Sequence, residues 1–262
     1  QETGLPLSEL GTREFLEKLL HAIANREGFG DILAEGLARA GERVPDKARL
    51  AILISGRGSN LRAFIDACEQ GLIAADIGVV HSNNPAAAGL QIAIDAGIPT
   101  ACVNHRDFAS REDFDVALAV EVTRWDADLV ILAGFMRILT PAFVQPFSGR
   151  LLNVHPSLLP KYPGLNTHQR ALDAGDSEAG VTVHFVTLEL DGGPPIIQAR
   201  VPILPDDTAE SLAARVIVKE HLIYPLAVQW YISGRLQLCD NGASIDGAPV
   251  PATGIDYQPE TA

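Results

Sequence analysis

Asn153 and His155 stand two residues apart in the apolar, β-prone run L-L-N-V-H at residues 151–155. If that run is a strand, both side chains leave the same face, and an amide donor and a titratable imidazole converge on one point. Pro156, Pro160 and Pro163 follow, so the chain must leave regular structure directly after the histidine. Such a pair at a strand end suits acyl-group chemistry, in which one group holds a developing oxyanion and another moves a proton. Taken alone, Asn-x-His is also an ordinary loop cap, so the pair needs support from elsewhere in the chain.

Two other loops offer it. Residues 55–61 read S-G-R-G-S-N-L after one apolar run and before a helical pattern. They begin like a dinucleotide fingerprint, but Leu61 holds the third glycine position, and His81 and Ser82 stand where an acid should end the second strand. The nicotinamide reading is rejected. The glycines still permit a tight turn, and the amides of Gly58, Ser59 and Asn60 at a helix N-terminus suit a single phosphate; a plain strand-to-helix turn is the alternative. The second loop, L-E-L-D-G-G-P at residues 188–194, places Asp191 before two glycines, where an aspartate usually serves a turn. Beside His155 its carboxylate would favour the protonated ring, which can donate to an oxyanion and shuttle a proton. Spacing does not show that the two loops meet.

The elements that must position these residues are legible as periodicities. Apolar runs at residues 50–54, 77–80, 100–103, 129–133 and 151–154 alternate with helical patterns at 61–70, 86–96, 111–125 and 141–147. That succession predicts a doubly wound α/β fold with a mostly parallel sheet. The unbroken apolar run at 129–133 fits a central strand covered on both faces. Further strands are expected at 181–187 and 196–203. A capping box from Asp207 to Glu210 would then open a long helix with Leu212, Val216, Ile223, Leu226 and Trp230 buried and a kink near Pro225.

Residues 1–48 differ in character: Phe15, Leu16, Leu19, Leu20 and Ile23 recur at helical spacing, and Asp31 starts a second helix. The expected organisation is therefore a helical N-terminal extension over 1–48, a catalytic domain over 49–240 and a C-terminal tail over 241–262.

A chain of 262 residues with 47% hydrophobic and 20% charged residues is an ordinary globular protein with a sizeable core. Its net charge of −13 disfavours nucleic acid and anionic membrane as partners, leaving small molecules held locally. Cys68, Cys102 and Cys239 are odd in number and far apart, which fits reduced thiols in a cytoplasmic protein. No apolar run has transmembrane length, and the N-terminus lacks a signal-peptide layout. The only methionine is Met136, so the chain is expected to be a trimmed product.

Several blocks together resemble the phosphoribosylglycinamide formyltransferases, the folate-dependent enzymes of purine synthesis. They are ISGRGSNL from Ile54, LAGFMRIL from Leu132, NVHPSLLPKYPG from Asn153, VHFV from Val183, LDGGP from Leu190 and EHLIYP from Glu220, in that family's order across residues 50–238. Related hydrolases share the Asn-x-His and the later Asp. The formyltetrahydrofolate deformylases resemble a different loop, with a second histidine, no K-Y-P-G, and a regulatory domain longer than residues 1–48. A faint likeness of residues 25–42 to a segment of aldehyde ferredoxin oxidoreductases brings no cysteine ligands, and no redox activity is carried over from it.

The resemblance implies a formyltransferase-type Rossmann-like fold. It also implies transfer of the formyl group of 10-formyltetrahydrofolate to glycinamide ribonucleotide, with no metal, by a monomer or homodimer. Asn153, His155 and Asp191 match the catalytic trio. Gly58, Ser59 and Asn60 match the phosphate cradle, and Glu220 the acid on the ribose hydroxyls. Met136, Arg137, Ile138 and Leu139 match the wall that holds the pterin, to which Asn153 also turns, and Arg111 a basic contact to the folate. Thr187, Leu188, Glu189 and Leu190 match the loop that closes over it. Ile217, Leu188 and Ala179 depart from common family residues, which bears on affinity and not on reaction type. The alternatives are a hydrolase releasing formate from the same folate and a non-catalytic nucleotide-binding protein.

Overall fold

A computed structural model describes residues 47–258. The helical hairpin expected within the first 48 residues lies outside the described residues.

Five strands and four helices alternate through the first half: β1 (Ala48–Ile54), α1 (Ser59–Glu69), β2 (Ala75–Ser82), α2 (Ala88–Asp95), β3 (Thr100–Cys102), α3 (Arg111–Thr123), β4 (Leu129–Leu132), α4 (Pro141–Val144) and β5 (Leu151–His155). There follow α5 (Thr167–Asp173), β6 (Glu178–Phe185), β7 (Pro195–Pro202) and the long α6 (Ala209–Ile232). Four short strands close the described chain: β8 (Leu236–Cys239), β9 (Gly242–Ile245), β10 (Ala248–Pro249) and β11 (Ile255–Asp256). The central sheet has the order β11-β7-β6-β5-β4-β1-β2-β3, and β8 to β10 form a separate antiparallel sheet. All central pairings are parallel except those of β6, which runs antiparallel to β5 and β7. The predicted doubly wound sheet is the observed one. No described helix is long and apolar enough to cross a membrane.

Alternation along β1 shows why both faces are apolar. Leu50, Ile52 and Ile54 pack with Phe64 of α1 and Tyr224 of α6, whereas Ala51 and Leu53 pack with Phe114 of α3 and Phe143 of α4. Helices cover both sides, so a strand here gains from having no polar face. Tyr224 is fully buried, and its hydroxyl lies 3.1 Å from the Leu132 carbonyl and 2.9 Å from that of Leu152. A buried phenol needs such partners, and this one ties α6 to β4 and β5 one residue before Asn153.

The sequence and the structure differ in two places. The capping box of α6 forms one residue later than expected, between Thr208 and Ser211. Asp207 is committed elsewhere: its carboxylate accepts from Leu204 N and Ser211 Oγ and pairs with Arg215, which holds it well below the usual carboxylate range. Helix α5 and the small β8–β10 sheet were not expected, both being too short to show a periodicity. The expected long helix is observed as one element, with Pro225 inside it.

A buried polar side chain on β2 has no hydrogen-bond partner. His81 extends from β2 on the face of Val79, fully buried, with both ring nitrogens unpartnered. Burial pushes its pKa from 6.5 down to about 3. The unfolded chain therefore takes up this proton first. Stability is intact above the unfolded value and is lost as pH falls towards the folded one. His81→Phe is expected to flatten that acid limb and raise Tm at mildly acidic pH. Denaturant titrations at several pH values check this; an unaltered acid slope contradicts it.

Candidate active site

The site begins where one apolar layer stops. Leu151 of β5 faces the cluster of Phe114 and Phe143, and Asn153 and His155 continue the same face of the strand. Antiparallel β6 places His184 directly opposite Asn153. His184 Nδ1 lies 2.8 Å from the carbonyl of Phe185, which can only accept, so Nδ1 carries the proton. Nε2 is then bare, and it lies 3.2 Å from Asn153 Nδ2, whose N–H donates to it. Burial pushes the His184 pKa down to about 4, against the pull of the Phe185 carbonyl and Asp191. A neutral His184 thus fixes which way the Asn153 amide points and leaves that amide a second N–H.

His155 is buried, and acceptors face both of its ring nitrogens. Nε2 lies 2.8 Å from the Tyr162 carbonyl, and Nδ1 lies 3.4 Å from Asp191 Oδ2. The loop between β6 and β7 folds back to deliver this carboxylate. At Gly193 a side chain would run into the Phe185 carbonyl, so the return needs glycine there. Asp191 itself takes a left-handed conformation at φ 51°, which aspartate tolerates better than most residues. The Gly164 N–H donates to Asp191 Oδ2 at 2.8 Å, and Asp191 Oδ1 lies 3.9 Å from His184 Nε2. The two loops that sequence spacing left apart therefore meet at one carboxylate. His168 stands half-buried nearby with Nδ1 unpartnered; burial, and then the charge of His155, lower its pKa.

Across the sheet, β1 turns into α1 through Gly58 at φ 78°. A Cβ there would approach Gly89 Cα to 2.8 Å, so both the turn and the contact with α2 require glycine. Helix α1 starts at Ser59 without a side-chain cap, and its first-turn N–H groups have no intrahelical acceptor. Asn60 is buried, donates through Nδ2 to Glu220 Oε2 at 2.8 Å, and keeps Oδ1 buried without a partner. Burial raises the Glu220 pKa, with the Asn60 hydrogen bond opposing.

Of the expected folate contacts, Met136 and Ile138 are exposed, Leu139 packs on the second core cluster, and the Arg137 guanidinium lies 5.3 Å from the Phe114 ring centre. Thr187 is half-buried, Leu188, Glu189 and Leu190 are exposed, and Arg111 is exposed at the first turn of α3. Met136, Ile138, Leu188 and Leu190 thus leave large apolar side chains exposed, as does Leu165 of the proline-rich loop. The structure brings together Asn153, His155 and Asp191, and separately Asn60 and Glu220. Sequence reasoning did not single out His184 or His168. The only signal for His184 was its block VHFV, which has meaning once the β5–β6 register is known.

Known proteins resemble this chain in sequence and in fold. The formyl transferase family matches residues 48–228. Phosphoribosylglycinamide formyltransferase of Escherichia coli is 52% identical over 205 residues, covering 78% of this chain and 97% of that protein. The bovine trifunctional purine biosynthetic protein adenosine-3 is 45% identical over 226 residues, 86% of this chain and 22% of that one. The solved phosphoribosylglycinamide formyltransferase of Coxiella burnetii superposes with a TM-score of 0.78 at 48% identity, covering 81% of this chain and all of that one. The chain belongs to the formyl transferase family. Within it, the relatives matched almost end to end are phosphoribosylglycinamide formyltransferases, and the activity of this chain is formyl transfer in purine biosynthesis.

His184→Leu removes the acceptor that orients Asn153 but buries no new charge. Formyl transfer is expected to fall about tenfold to a hundredfold as the Asn153 amide loses its direction, while the loss of the two His184 hydrogen bonds lowers Tm at neutral pH by only about 2–8 °C. Steady-state kinetics alongside calorimetry check the split.

Proposed function

We propose that the enzyme transfers the formyl group of 10-formyltetrahydrofolate to the free amine of glycinamide ribonucleotide. The observation that carries this is the convergence of an oriented amide, an imidazole and a carboxylate beside exposed apolar loops that suit a flat pterin. The amine attacks the formyl carbon, a C–N bond forms, and the carbonyl electron pair moves onto oxygen. Asn153, through its second N–H, and protonated His155 hold that oxyanion; one donor of this kind is commonly worth about 3 kcal/mol of barrier. Asp191 faces the opposite ring nitrogen and balances the imidazolium charge. As the intermediate collapses, the bond to the folate nitrogen breaks, and His155 moves the amine's proton to that leaving nitrogen, directly or through water. The products are the formylated amide and tetrahydrofolate.

Substrate placement follows the same geometry. The phosphate meets the amides of Gly58, Ser59 and Asn60 at the start of α1, and Glu220 accepts from the ribose hydroxyls. Met136, Arg137, Ile138 and Leu139 face the pterin from one side. The segment Thr187, Leu188, Glu189 and Leu190 closes on it from the other, and Arg111 meets the folate carboxylates.

Asp191→Asn keeps an acceptor for Gly164 but removes the charge beside His155. Amine-dependent folate release is expected to fall by about two to three orders of magnitude. Folate release that proceeds equally without glycinamide ribonucleotide would instead mark a hydrolase. Glu220→Gln separates function from stability. A carboxyl raised by burial destabilises the fold above its unfolded value, where it must ionise, so the neutral amide is expected to raise Tm at neutral pH. The same change is expected to raise KM for the ribonucleotide about tenfold or more, the loss of a charged hydrogen bond. Thermal melts and substrate titrations of one preparation read both effects.

A further inference from the structure

The folate-facing segment from Met136 to Leu139 has no regular secondary structure, yet side chains from other elements hold both of its ends. At one end the Met136 N–H donates to Ser55 Oγ at 2.8 Å, and that hydroxyl donates to Asn83 Oδ1 at 2.6 Å. At the other end the Thr140 N–H donates to Asp115 Oδ2 at 2.5 Å. Asp115 extends from α3 with no exposed surface, and its second oxygen has no partner. The buried side chains Phe114, Leu118 and Val122 of the same helix are apolar, and the cation that acts on Asp115, Arg137, belongs to the suspended segment itself. Burial raises the Asp115 pKa, opposed first by the hydrogen bond from the Thr140 N–H and further by the charge of Arg137. A carboxylate kept at such a cost, one turn along from Arg111 and bonded to the end of the folate wall, has a positional use.

We propose that Asp115 and Ser55 are positioning residues of the formyl-folate site. They suspend residues 136–140 between two fixed hydrogen bonds, so that Met136 and Ile138 meet the pterin without prior ordering of the loop. An irregular segment left free would lose conformational entropy on each binding event, and that loss would subtract from folate affinity. The proposal rests on the folate reading above.

The test compares Asp115→Ala, Ser55→Ala and Asp115→Asn in the whole chain. Its readouts are tetrahydrofolate binding by calorimetry and steady-state constants for both substrates. Each alanine variant is expected to weaken tetrahydrofolate binding about tenfold and to raise KM for the formyl donor by the same factor. For Asp115→Ala, kcat and KM for the ribonucleotide stay at wild-type values. Asp115→Asn keeps an oxygen for the Thr140 N–H and restores the binding. Should Asp115→Ala not fold, Ser55→Ala carries the binding test. Unaltered folate binding in a folded alanine variant, or an equal rise in both KM values, overturns the proposal. Tetrahydrofolate that fails to bind the wild type overturns the folate reading itself.

Discussion

A buried imidazole that stays uncharged sets the direction of the site. His184 gives its one proton to the carbonyl of Phe185 and so presents a bare nitrogen to Asn153. Were the ring protonated, two donors would face each other across β5 and β6, and the amide would have to turn. The arrangement depends in turn on register. Asn153 lies opposite His184, and a slip of one residue would send His184 to the far face, among Val183 and Phe185. Hydrophobic burial in one layer thereby fixes a hydrogen bond in the other.

The same layer explains why the polar residues are where they are. On the face of Leu151 the apolar cluster of α3 and α4 ends, and Asn153, His155 and His184 occupy the continuing positions. On the opposite face the clusters of α1 and α6 end at Asn60 and Glu220, one turn from the fully buried Tyr224. Each of these groups has a hydrogen-bond or ion-pair partner, and the two whose pKa burial shifts, His184 and Glu220, are held where water cannot stabilise their charged forms. Burial moves His184 down and Glu220 and Asp115 up. Groups pushed in opposite directions by one cause, in neighbouring elements, are the signature of a site that gives up stability for pre-organisation.

Most of the sheet was legible because its strands are apolar on both faces and separated by helical periods, a pattern that survives without tertiary knowledge. The turn at Gly58 was legible for a similar local reason, since a glycine between strand and helix has few other uses. The capping residue of α6 was not. Asp207 and Thr208 both head a plausible box, and only the long-range pairing of Asp207 with Arg215 decides between them. The meeting of His155 with Asp191 was legible through family resemblance alone, since the periodicity between them predicts a strand but not which loops its ends share. Asp115 was hidden more deeply. In sequence it is an unremarkable acid near a helix start, and its meaning lies in a backbone N–H 25 positions away.

The contacts of His155 bear on how the proposed reaction is selective for its transition state. The Nε2 proton of His155 has a partner in the neutral carbonyl of Tyr162, on the same loop whose Gly164 N–H holds Asp191. A formyl carbonyl arriving in the ground state offers the ring a second neutral acceptor and gains little by displacing the first. The oxyanion formed on attack is different. A charge-assisted hydrogen bond is roughly twice as strong as a neutral one, so the exchange becomes favourable as negative charge develops. An interaction that is resisted at the start and favoured at the summit lowers the barrier without tightening the ground state. In the proposed reaction the Tyr162 carbonyl would keep His155 aligned between turnovers, and Asn153, oriented by His184, would offer its second N–H to the same oxygen.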